Sequence, residues 1–231
     1  MLQLPKVIGH RGAKAYAPEN TLASFREARK RGAAWVEIDV KLTADGVAIV
    51  MHDASLKRTT GIDRLVAETS RAELPESVPT FEDAIACFEE QGLGCNVEIK
   101  PCEGREIETA RVTVETLRRR WPKSLSPPLL SSFKLPSLVA AKDAAPEFTR
   151  ALLLGPVEDD WRTQAEEVGA VGINVDGRRL TAPQAVAIAK AGYTLSVYTI
   201  NDGDVARALV GMGVQCVITD MPDVIIAALG P

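Results

Sequence analysis

The two histidines are the side chains best suited to transfer protons near neutral pH, and each stands at the end of an apolar run. His10 follows Val7-Ile8-Gly9, and His52 follows Val47-Ala48-Ile49-Val50-Met51. The 231 residues contain no other histidine. Apolar runs of this length are typical of buried strands, and catalytic groups collect where the strands of an α/β fold end. We therefore interpret His10 and His52 as a candidate acid/base pair.

Carboxylates occupy the same kind of position in two further apolar runs. Glu37 and Asp39 alternate with apolar residues in Trp35–Val40, and Glu98 does so in Asn96–Lys100. Residues two apart on a strand lie on the same face of it. Carboxylates crowded together repel one another unless a cation lies between them. Because Mg²⁺ and Ca²⁺ both prefer oxygen ligands, the pattern predicts a site for one of these two ions.

Arg11 and Lys100 add two positive side chains next to the predicted metal site. A metal ion, an arginine and a lysine together suit an anionic substrate, and phosphate is the natural candidate. A histidine on either side could act as a base toward the attacking oxygen and as an acid toward the leaving oxygen. The residues alone predict a metal-dependent phosphoric ester hydrolase or lyase. They leave open which histidine is the acid and which alcohol is released.

A repeated strand–turn–helix pattern positions these groups. It contains eight strands, each followed by a helix, in one domain over residues 1–231, which favours a (β/α)₈ TIM barrel over an open doubly wound sheet. The carboxyl ends of barrel strands share one rim, so His10, Glu37, Asp39, Glu98 and Lys100 are expected to converge there. The predicted strands span Lys6–Gly9, Trp35–Lys41, Cys95–Ile99, Leu129–Ser132, Arg150–Leu154, Val171–Val175, Thr194–Ile200 and Cys216–Thr219.

Two local patterns modify this barrel between its second and third strands. The Asp45-Gly46 pair predicts a hairpin turn, so that Val47–Met51 returns beside the second strand and carries His52 back toward Glu37. Residues 53–79 show no clear periodicity and are interpreted as a short insertion after the second histidine. Thr80 then predicts the N-terminus of a helix, with Asp83 in the place usually taken by glutamate.

The composition restricts the class of partner and the location. The net charge of −4 argues against a nucleic-acid partner. The basic run Arg118–Arg120 suits the end of a helix, where cations interact favourably with the helix dipole. The four cysteines, which form no zinc-binding spacing, are interpreted as reduced structural thiols. The chain shows neither a signal peptide nor an apolar run of about 20 residues, so we expect no stable membrane insertion and a cytoplasmic location. The oligomeric state is left open.

Several motifs together resemble those of the glycerophosphodiester phosphodiesterase family, in its bacterial cytosolic type, from His10 almost to the C-terminus. The motifs are His10-Arg11-Gly12, Pro18-Glu19-Asn20-Thr21, Glu37-Ile38-Asp39, His52-Asp53, Val97-Glu98-Ile99-Lys100, Ser131-Ser132-Phe133 and Val217-Ile218-Thr219-Asp220-Met221-Pro222. The resemblance implies that Glu37, Asp39 and Glu98 bind the divalent cation, Mg²⁺ or Ca²⁺. It also implies that His10 and His52 are the general acid and base, and that Arg11 and Lys100 contact the phosphate.

The resemblance further implies a reaction, the hydrolysis of a small glycerophosphodiester to glycerol 3-phosphate and an alcohol. Attack by water and attack by the substrate's own glycerol hydroxyl both stay open. Asn20 or Thr21 is expected to cap the first helix, near residues 20–30, while Glu19 and Asn20 can also orient His10 or a metal ligand. Phe133 and Tyr198 are expected to line the substrate site.

Two departures from the family bear on the choice of substrate. Tyr198 stands where the family usually has tryptophan, and the insertion is short, which is expected to leave the mouth of the barrel open to large alcohols. Two competing functions stay open: a phospholipase acting on intact or lyso-lipids, and a phosphate-binding barrel without activity. The lipid-directed alternative requires an apolar or basic patch near the rim, for which residues 53–79 give little signal.

Overall fold

The short apolar runs of the sequence form the strands of a closed parallel barrel in the computed structural model, which describes residues 3–230. Met1, Leu2 and Pro231, which belong to the predicted domain, lie outside the described residues. The strands are β1 (Val7–His10), β2 (Trp35–Leu42), β3 (Ala48–Val50), β4 (Gly94–Ile99), β5 (Leu129–Ser132), β6 (Thr149–Leu154), β7 (Gly172–Asp176), β8 (Thr194–Tyr198) and β9 (Cys216–Thr219).

A helix follows every barrel strand, with one extra short helix in the insertion after the hairpin. The helices are α1 (Leu22–Lys30), α2 (Lys57–Thr60), α3 (Phe81–Gln91), α4 (Glu106–Arg120), α5 (Leu135–Ala144), α6 (Trp161–Glu167), α7 (Ala182–Lys190), α8 (Gly203–Gly211) and α9 (Pro222–Leu229). Their apolar faces pack on the outside of the sheet, where most of the hydrophobic core lies. None of the helices in the described part of the chain is long and apolar enough to span a membrane.

Eight of the nine strands are parallel and form a ring. The order runs β1-β9-β8-β7-β6-β5-β4-β2, and β1 pairs with β2 to close it. Strand β3 pairs antiparallel with the carboxyl-terminal part of β2, so that Val40 lies opposite Val50. The predicted (β/α)₈ barrel and the predicted hairpin after the second strand are both confirmed.

The strand register aligns the candidate site residues at one end of the barrel. His10 pairs with Glu37 across β1 and β2, and Asp39 pairs with Glu98 across β2 and β4. Because alternate residues of a barrel strand point inward, Glu37 and Asp39 share the interior face of β2. Lys41, two residues further along, lies on the same face. Parallel pairing therefore brings together groups that are far apart in the sequence.

Most predicted strand boundaries agree with the structure to within one residue, but the predicted start of the first helix and the predicted end of β8 are each wrong by two residues. The first helix begins at Leu22 and not near Asn20, because Thr21 is the N-cap and its side chain accepts from the Ser24 N–H. Asn20 itself has a φ of 57° and lies outside the helix. Strand β8 ends at Tyr198, two residues before the predicted end. The predicted strand includes Ile200 because this residue is apolar, but the buried Ile200 packs with the helix layer beyond the strand. The predicted cap of Thr80 with Asp83 is confirmed.

The insertion over residues 53–79 has an ordered interior of its own. Besides α2 it contains two short 3₁₀ helices, Val66–Glu68 and Arg71–Glu73. Its apolar residues pack against β3 and against Cys102 in a small separate core. The four cysteines, Cys87, Cys95, Cys102 and Cys216, are free and buried, which agrees with their interpretation as structural thiols.

The lower part of the barrel interior is filled by the indole of Trp35, which packs with Ile8 and Leu129. Gly94 lies beside this indole on the neighbouring strand, and a Cβ at that position would lie 2.3 Å from the Trp35 ring. The Trp35 side chain cannot move aside to relieve so short a contact, because its ring is buried and surrounded by other core residues. The absence of a side chain at Gly94 is therefore a packing requirement of the barrel.

We expect Gly94→Ala to lower the free energy of unfolding by about 1–3 kcal/mol, the usual cost of overpacking a core. Chemical denaturation monitored by Trp fluorescence and circular dichroism measures this change. Gly211→Ala is the matched control, because a Cβ at Gly211 meets nothing within 4 Å and the residue lies in α8. Equal stability of the Gly94→Ala variant and the control would contradict the packing argument.

Candidate active site

Three buried carboxylates lie together at the carboxyl ends of β2 and β4. Each of Glu37, Asp39 and Glu98 offers an oxygen within 4.8 Å of the oxygens of the other two. Asp39 is the most deeply buried, with 1% of its surface exposed. Three negative groups at this separation and burial are mutually destabilising unless positive groups surround them.

Two cationic side chains flank the carboxylates. Lys100 places its Nζ 2.8 Å from Glu98 Oε1 and 3.2 Å from Asp39 Oδ1. Arg11 places its Nε 3.3 Å from Asp39 Oδ2, and its backbone N–H donates to Glu37 Oε2 at 3.1 Å. The positive φ of Arg11, 51°, turns its backbone N–H and side chain toward the carboxylates on one side of the site.

Asn20 orients the central carboxylate. Its Nδ2 donates to Asp39 Oδ2 at 2.8 Å, so it lies against one of the predicted metal ligands. The other oxygen, Asp39 Oδ1, is buried and accepts no hydrogen bond among the described residues. A buried carboxylate oxygen without a hydrogen bond, next to two further carboxylates, is suited to a hard cation.

Burial and crowding separate the pKa values of the three carboxyl groups. Burial, and then the Asp39 charge, raise the pKa of Glu98 to about 7. Burial together with Asp39 and Glu98 raises the pKa of Glu37 well above its usual value. Burial alone would also raise the pKa of Asp39, but Lys100 and Arg11 outweigh it and lower that pKa. Lys100 and Arg11 thus favour the ionised form of Asp39, but they do not balance the negative charge of Glu37 and Glu98 as well.

Each histidine is held by an aspartate. His10 Nδ1 lies 2.6 Å from Asp220 Oδ1, and His52 Nδ1 lies 2.6 Å from Asp53 Oδ1. Asp53 and Asp220 both have a lowered pKa: Arg58 lowers that of Asp53, while hydrogen bonds from His10 and Asn201 outweigh burial at Asp220. Ionised carboxylates accept, so the Nδ1–H of each imidazole donates and Nε2 is left for chemistry. His10 Nε2 is 4.0 Å from Glu37 Oε2.

The environments of the two histidine–aspartate pairs differ. Asp53 also accepts from Arg58 Nε at 2.6 Å, so a cation shares its charge. Asp220 accepts from the neutral amide of Asn201 at 2.8 Å. Burial lowers the pKa of His52, although the nearby Asp39 acts in the opposite direction.

Glu19 connects the insertion to Arg11 at the edge of the site. Its carboxylate accepts from Arg11 at 2.7 Å and from two nitrogens of Arg58 at 2.7 and 2.9 Å. Only 7% of the Glu19 side chain is exposed. Although burial opposes it, the pair of arginines lowers the pKa of Glu19 to about 2. Glu19 therefore holds Arg11 in place and ties residue 58 of the insertion to the loop after β1.

A cavity of about 190 Å³ lies among these groups and is closed on one side by aromatic rings. The rings of Phe133 and Tyr198 meet edge to face at 5.9 Å. The Tyr198 hydroxyl donates to the carbonyl of Leu154 at 2.8 Å, so this polar group is satisfied by β6. The cavity is lined by His10, Arg11, Glu37, His52, Asn96, Glu98, Lys100, Phe133, Leu153, Arg178, Tyr198, Thr199 and Ile218.

All eleven residues singled out from the sequence thus lie in or beside one site, and four partners were missed. The missed residues are Asp53, Arg58, Asn201 and Asp220. Asp220 follows the end of β9 directly, and Asp53 follows His52 three residues after the end of β3, so the rule that identified the histidines could have identified them too. Arg58 lies in the short helix α2 and Asn201 in the loop after β8, neither with a distinguishing sequence pattern, and only the folded structure brings them to the site.

A (β/α)₈ barrel with two histidines and three carboxylates gathered at the carboxyl ends of its strands has the layout of the barrel enzymes, whose active site lies at that rim. Residues 10–224 match the glycerophosphoryl diester phosphodiesterase family, and the chain belongs to that family. The predicted family is therefore confirmed, and with it the enzyme class, a phosphoric diester hydrolase.

Individual relatives and solved structures agree with this assignment. YhdW of Bacillus subtilis is 30% identical over 240 residues, which cover 95% of this chain and 96% of that protein. A glycerophosphodiester phosphodiesterase of Caldanaerobacter subterraneus is 28% identical over 247 residues, covering 95% of this chain and 96% of its own. The structure of an Oleispira antarctica phosphodiesterase in complex with the product sn-glycerol-3-phosphate superposes with a TM-score of 0.95 at 38% identity, covering 99% and 98% of the two chains.

We expect Glu19→Gln to lower the free energy of unfolding at pH 7 by about 1–2 kcal/mol, because it weakens a mostly buried ionic network in which Arg58 is half exposed. The folded-state pKa of Glu19 lies below its ordinary value of 4.5, so the ionised form stabilises the fold. This contribution is complete above pH 4.5 and is lost as the pH falls toward 2.

The difference in stability between wild type and Glu19→Gln should therefore shrink over that acidic range. Denaturant titrations at several pH values measure it. The control is Glu90→Gln, which disrupts only the exposed pair with Arg26. A loss for Glu19→Gln that is no larger than for the control at pH 7, or that does not depend on pH, would contradict the role of Glu19.

Proposed function

We propose that this chain hydrolyses small glycerophosphodiesters to glycerol 3-phosphate and an alcohol, with a divalent cation and a two-histidine acid/base mechanism. The observation that carries the proposal is the placement of two histidine–aspartate pairs around three buried carboxylates and two cations at one rim. The Oleispira relative, which binds the product sn-glycerol-3-phosphate, supports the proposed product.

Glu37, Asp39 and Glu98 would hold the cation, and their chemistry suits Mg²⁺ or Ca²⁺. Two of the three groups have a raised pKa, which is the expected response of a carboxylate cluster that lacks positive charge. The buried Asp39 Oδ1 accepts no hydrogen bond among residues 3–230 and has the Lys100 ammonium beside it at 3.2 Å, so it would serve as a ligand where the cation shares or replaces that contact. A bound divalent ion supplies Lewis-acid polarisation of the phosphoryl oxygens and neutralises their charge.

His10 and His52 are proposed to transfer the protons. With Nδ1 of each ring held by an aspartate, Nε2 can take a proton from the attacking oxygen or give one to the leaving alkoxide. Asp220 and Asp53 fix the ring orientation and stabilise the imidazolium form, so we propose positioning roles for them. The leaving alkoxide of a phosphodiester needs a proton, which explains why two such groups are useful.

Arg11 and Lys100 are proposed to bind the phosphate. Both reach the carboxylates from the cavity side, and both carry a charge suited to non-bridging phosphate oxygens. Asn20 and Glu19 would support this arrangement by holding Asp39 and Arg11. Phe133 and Tyr198 would form the apolar wall against which the glycerol or the alcohol packs.

We further propose a reducing compartment, the cytoplasm, as the location of the enzyme. All four cysteines are free, and the burial of each prevents pairing without unfolding. Structural thiols kept in this form are typical of cytoplasmic proteins.

Purified enzyme is expected to release glycerol 3-phosphate from glycerophosphocholine and glycerophosphoethanolamine, and to lose this activity in EDTA. Added Mg²⁺ or Ca²⁺ should restore it, and Glu98→Ala should lower both the rate and the response to metal. A coupled assay for glycerol 3-phosphate measures the rates. Lysophosphatidylcholine serves as the comparison for the lipid-directed alternative. No turnover of any diester with metal present, or undiminished turnover in EDTA, would contradict the proposal.

His10→Ala and His52→Ala are each expected to lower kcat by roughly 100- to 10,000-fold, the usual contribution of general acid/base catalysis. Both variants should keep the wild-type circular dichroism spectrum, because neither side chain belongs to a hydrophobic core cluster. The chain has no third histidine for a matched control, so thermal unfolding of each variant is the check on folding. A wild-type kcat in either variant would refute the assignment of that histidine.

A further inference from the structure

A second cavity, of about 410 Å³, lies next to the active-site cavity. The two cavities share His52, Glu98, Lys100 and Phe133 as lining residues. The second cavity is otherwise formed by the start of the insertion, by the loops after β4 and β5, and by Lys41 of β2. An alcohol attached to a phosphate in the active site could therefore extend into it past His52.

Lys41 is a buried cation that the proposed mechanism does not use. It is 3% exposed, and its Nζ donates to the backbone carbonyl of Lys100 at 2.9 Å. No carboxylate oxygen of the described residues lies within the 4.0 Å of an ion pair from this Nζ. Buried lysines are rare without an anionic partner, because the interior does not solvate their charge. Burial lowers the pKa of Lys41, while the nearby Asp39 and Glu98 act in the opposite direction. Lys41 is thus a lysine in the wall of the cavity with no carboxylate of the described residues at ion-pair distance.

A second lysine in the lining of this cavity adds positive charge. Lys134 is exposed, and within residues 3–230 its ammonium forms no ion pair. Helix α5 begins at the next residue, but Pro136 has no N–H and the Ser137 N–H donates to the Lys134 carbonyl at 3.0 Å, so the positive charge here is that of the Lys134 side chain.

The carboxylates in the same cavity are already engaged. Asp53 accepts from His52 and from Arg58 at 2.6 Å each, and Glu98 accepts from Lys100 at 2.8 Å. Neither is free to neutralise Lys41 or Lys134. The cavity therefore contains two lysines, Lys41 and Lys134, that form no ion pair among the described residues and can each meet an anion that enters it.

We propose that this second cavity is a subsite for an anionic group on the alcohol portion of the substrate, with Lys41 and Lys134 as its specificity-determining residues. The inference rests on the proposed function, since the group would enter as part of a glycerophosphodiester held in the active site. A carboxylate and a phosphate ester share the required chemistry, and either could supply the anion. This subsite would not increase the affinity for glycerophosphodiesters whose alcohol carries only a positive charge.

Two matched pairs of substrates isolate the anionic group. Glycerophosphoserine differs from glycerophosphoethanolamine by one carboxylate, and glycerophosphoinositol 4-phosphate differs from glycerophosphoinositol by one phosphate. We expect kcat/KM to be about tenfold higher for the anionic member of at least one pair, the effect of one charge-assisted hydrogen bond. A preference confined to the first pair identifies a carboxylate, and one confined to the second identifies a phosphate.

Lys41→Gln and Lys134→Gln should each reduce that preference several-fold, mainly through KM, while the neutral member changes less. Lys134 is exposed, so its variant keeps the test valid if the loss of the buried Lys41 impairs folding. Lys190→Gln, at the far end of α7, is the matched control and should leave every ratio at the wild-type value.

Three results would overturn the inference. Wild-type enzyme could turn over both members of each pair equally or prefer the members without the added anion. It could prefer the anionic members while Lys41→Gln and Lys134→Gln both retain the full preference, which would place the selecting group elsewhere. Failure to turn over any of the four diesters would refute the proposed function and this inference with it.

Discussion

The mutual repulsion of three buried carboxylates is the constraint on which the rest of the site depends. Glu37, Asp39 and Glu98 lie within 4.8 Å of one another in a protein interior, where like charges are costly. Arg11 and Lys100 contribute the positive charge, and Asn20 contributes an amide that fixes Asp39. The raised pKa values of Glu37 and Glu98 show that these contacts are not sufficient by themselves. Because the negative charge of this cluster is only partly balanced by Arg11 and Lys100, the cluster is suited to bind an additional cation.

Parallel pairing is what makes this crowding possible. The register that sets His10 beside Glu37 and Asp39 beside Glu98 also satisfies the backbone of every strand, so the barrel itself stabilises the unfavourable grouping. Apolar packing around Trp35 seals the opposite part of the interior. The crowding of like charges lies at the carboxyl ends of the strands, while the opposite end of the interior and the helix layer are largely apolar.

Much of this could be predicted from the sequence, since strand periodicity and the common rim of a barrel place His10, Glu37, Asp39 and Glu98 without knowledge of any contact. Tertiary contacts decided what periodicity could not. Thr21 and not Asn20 caps α1, because Asn20 adopts a left-handed conformation and turns its amide to Asp39. Arg58 reaches Asp53 and Glu19 only because the insertion folds on its own small core. The unpaired state of Lys41 is likewise invisible in the sequence, where it is one more alternating polar residue.

Arg58 joins the carboxylate that holds His52 to the carboxylate that holds Arg11. The insertion is thus more than a cover over the barrel mouth, because Arg58 contacts both Asp53, which holds His52, and Glu19, which holds the proposed phosphate-binding Arg11. Exchanging this segment with that of a relative, in evolution or in a designed chimera, would alter catalysis and alcohol selection together unless an arginine were kept at this point. The interchangeable unit of this enzyme is therefore larger than the insertion and includes the loop after β1 that carries Glu19.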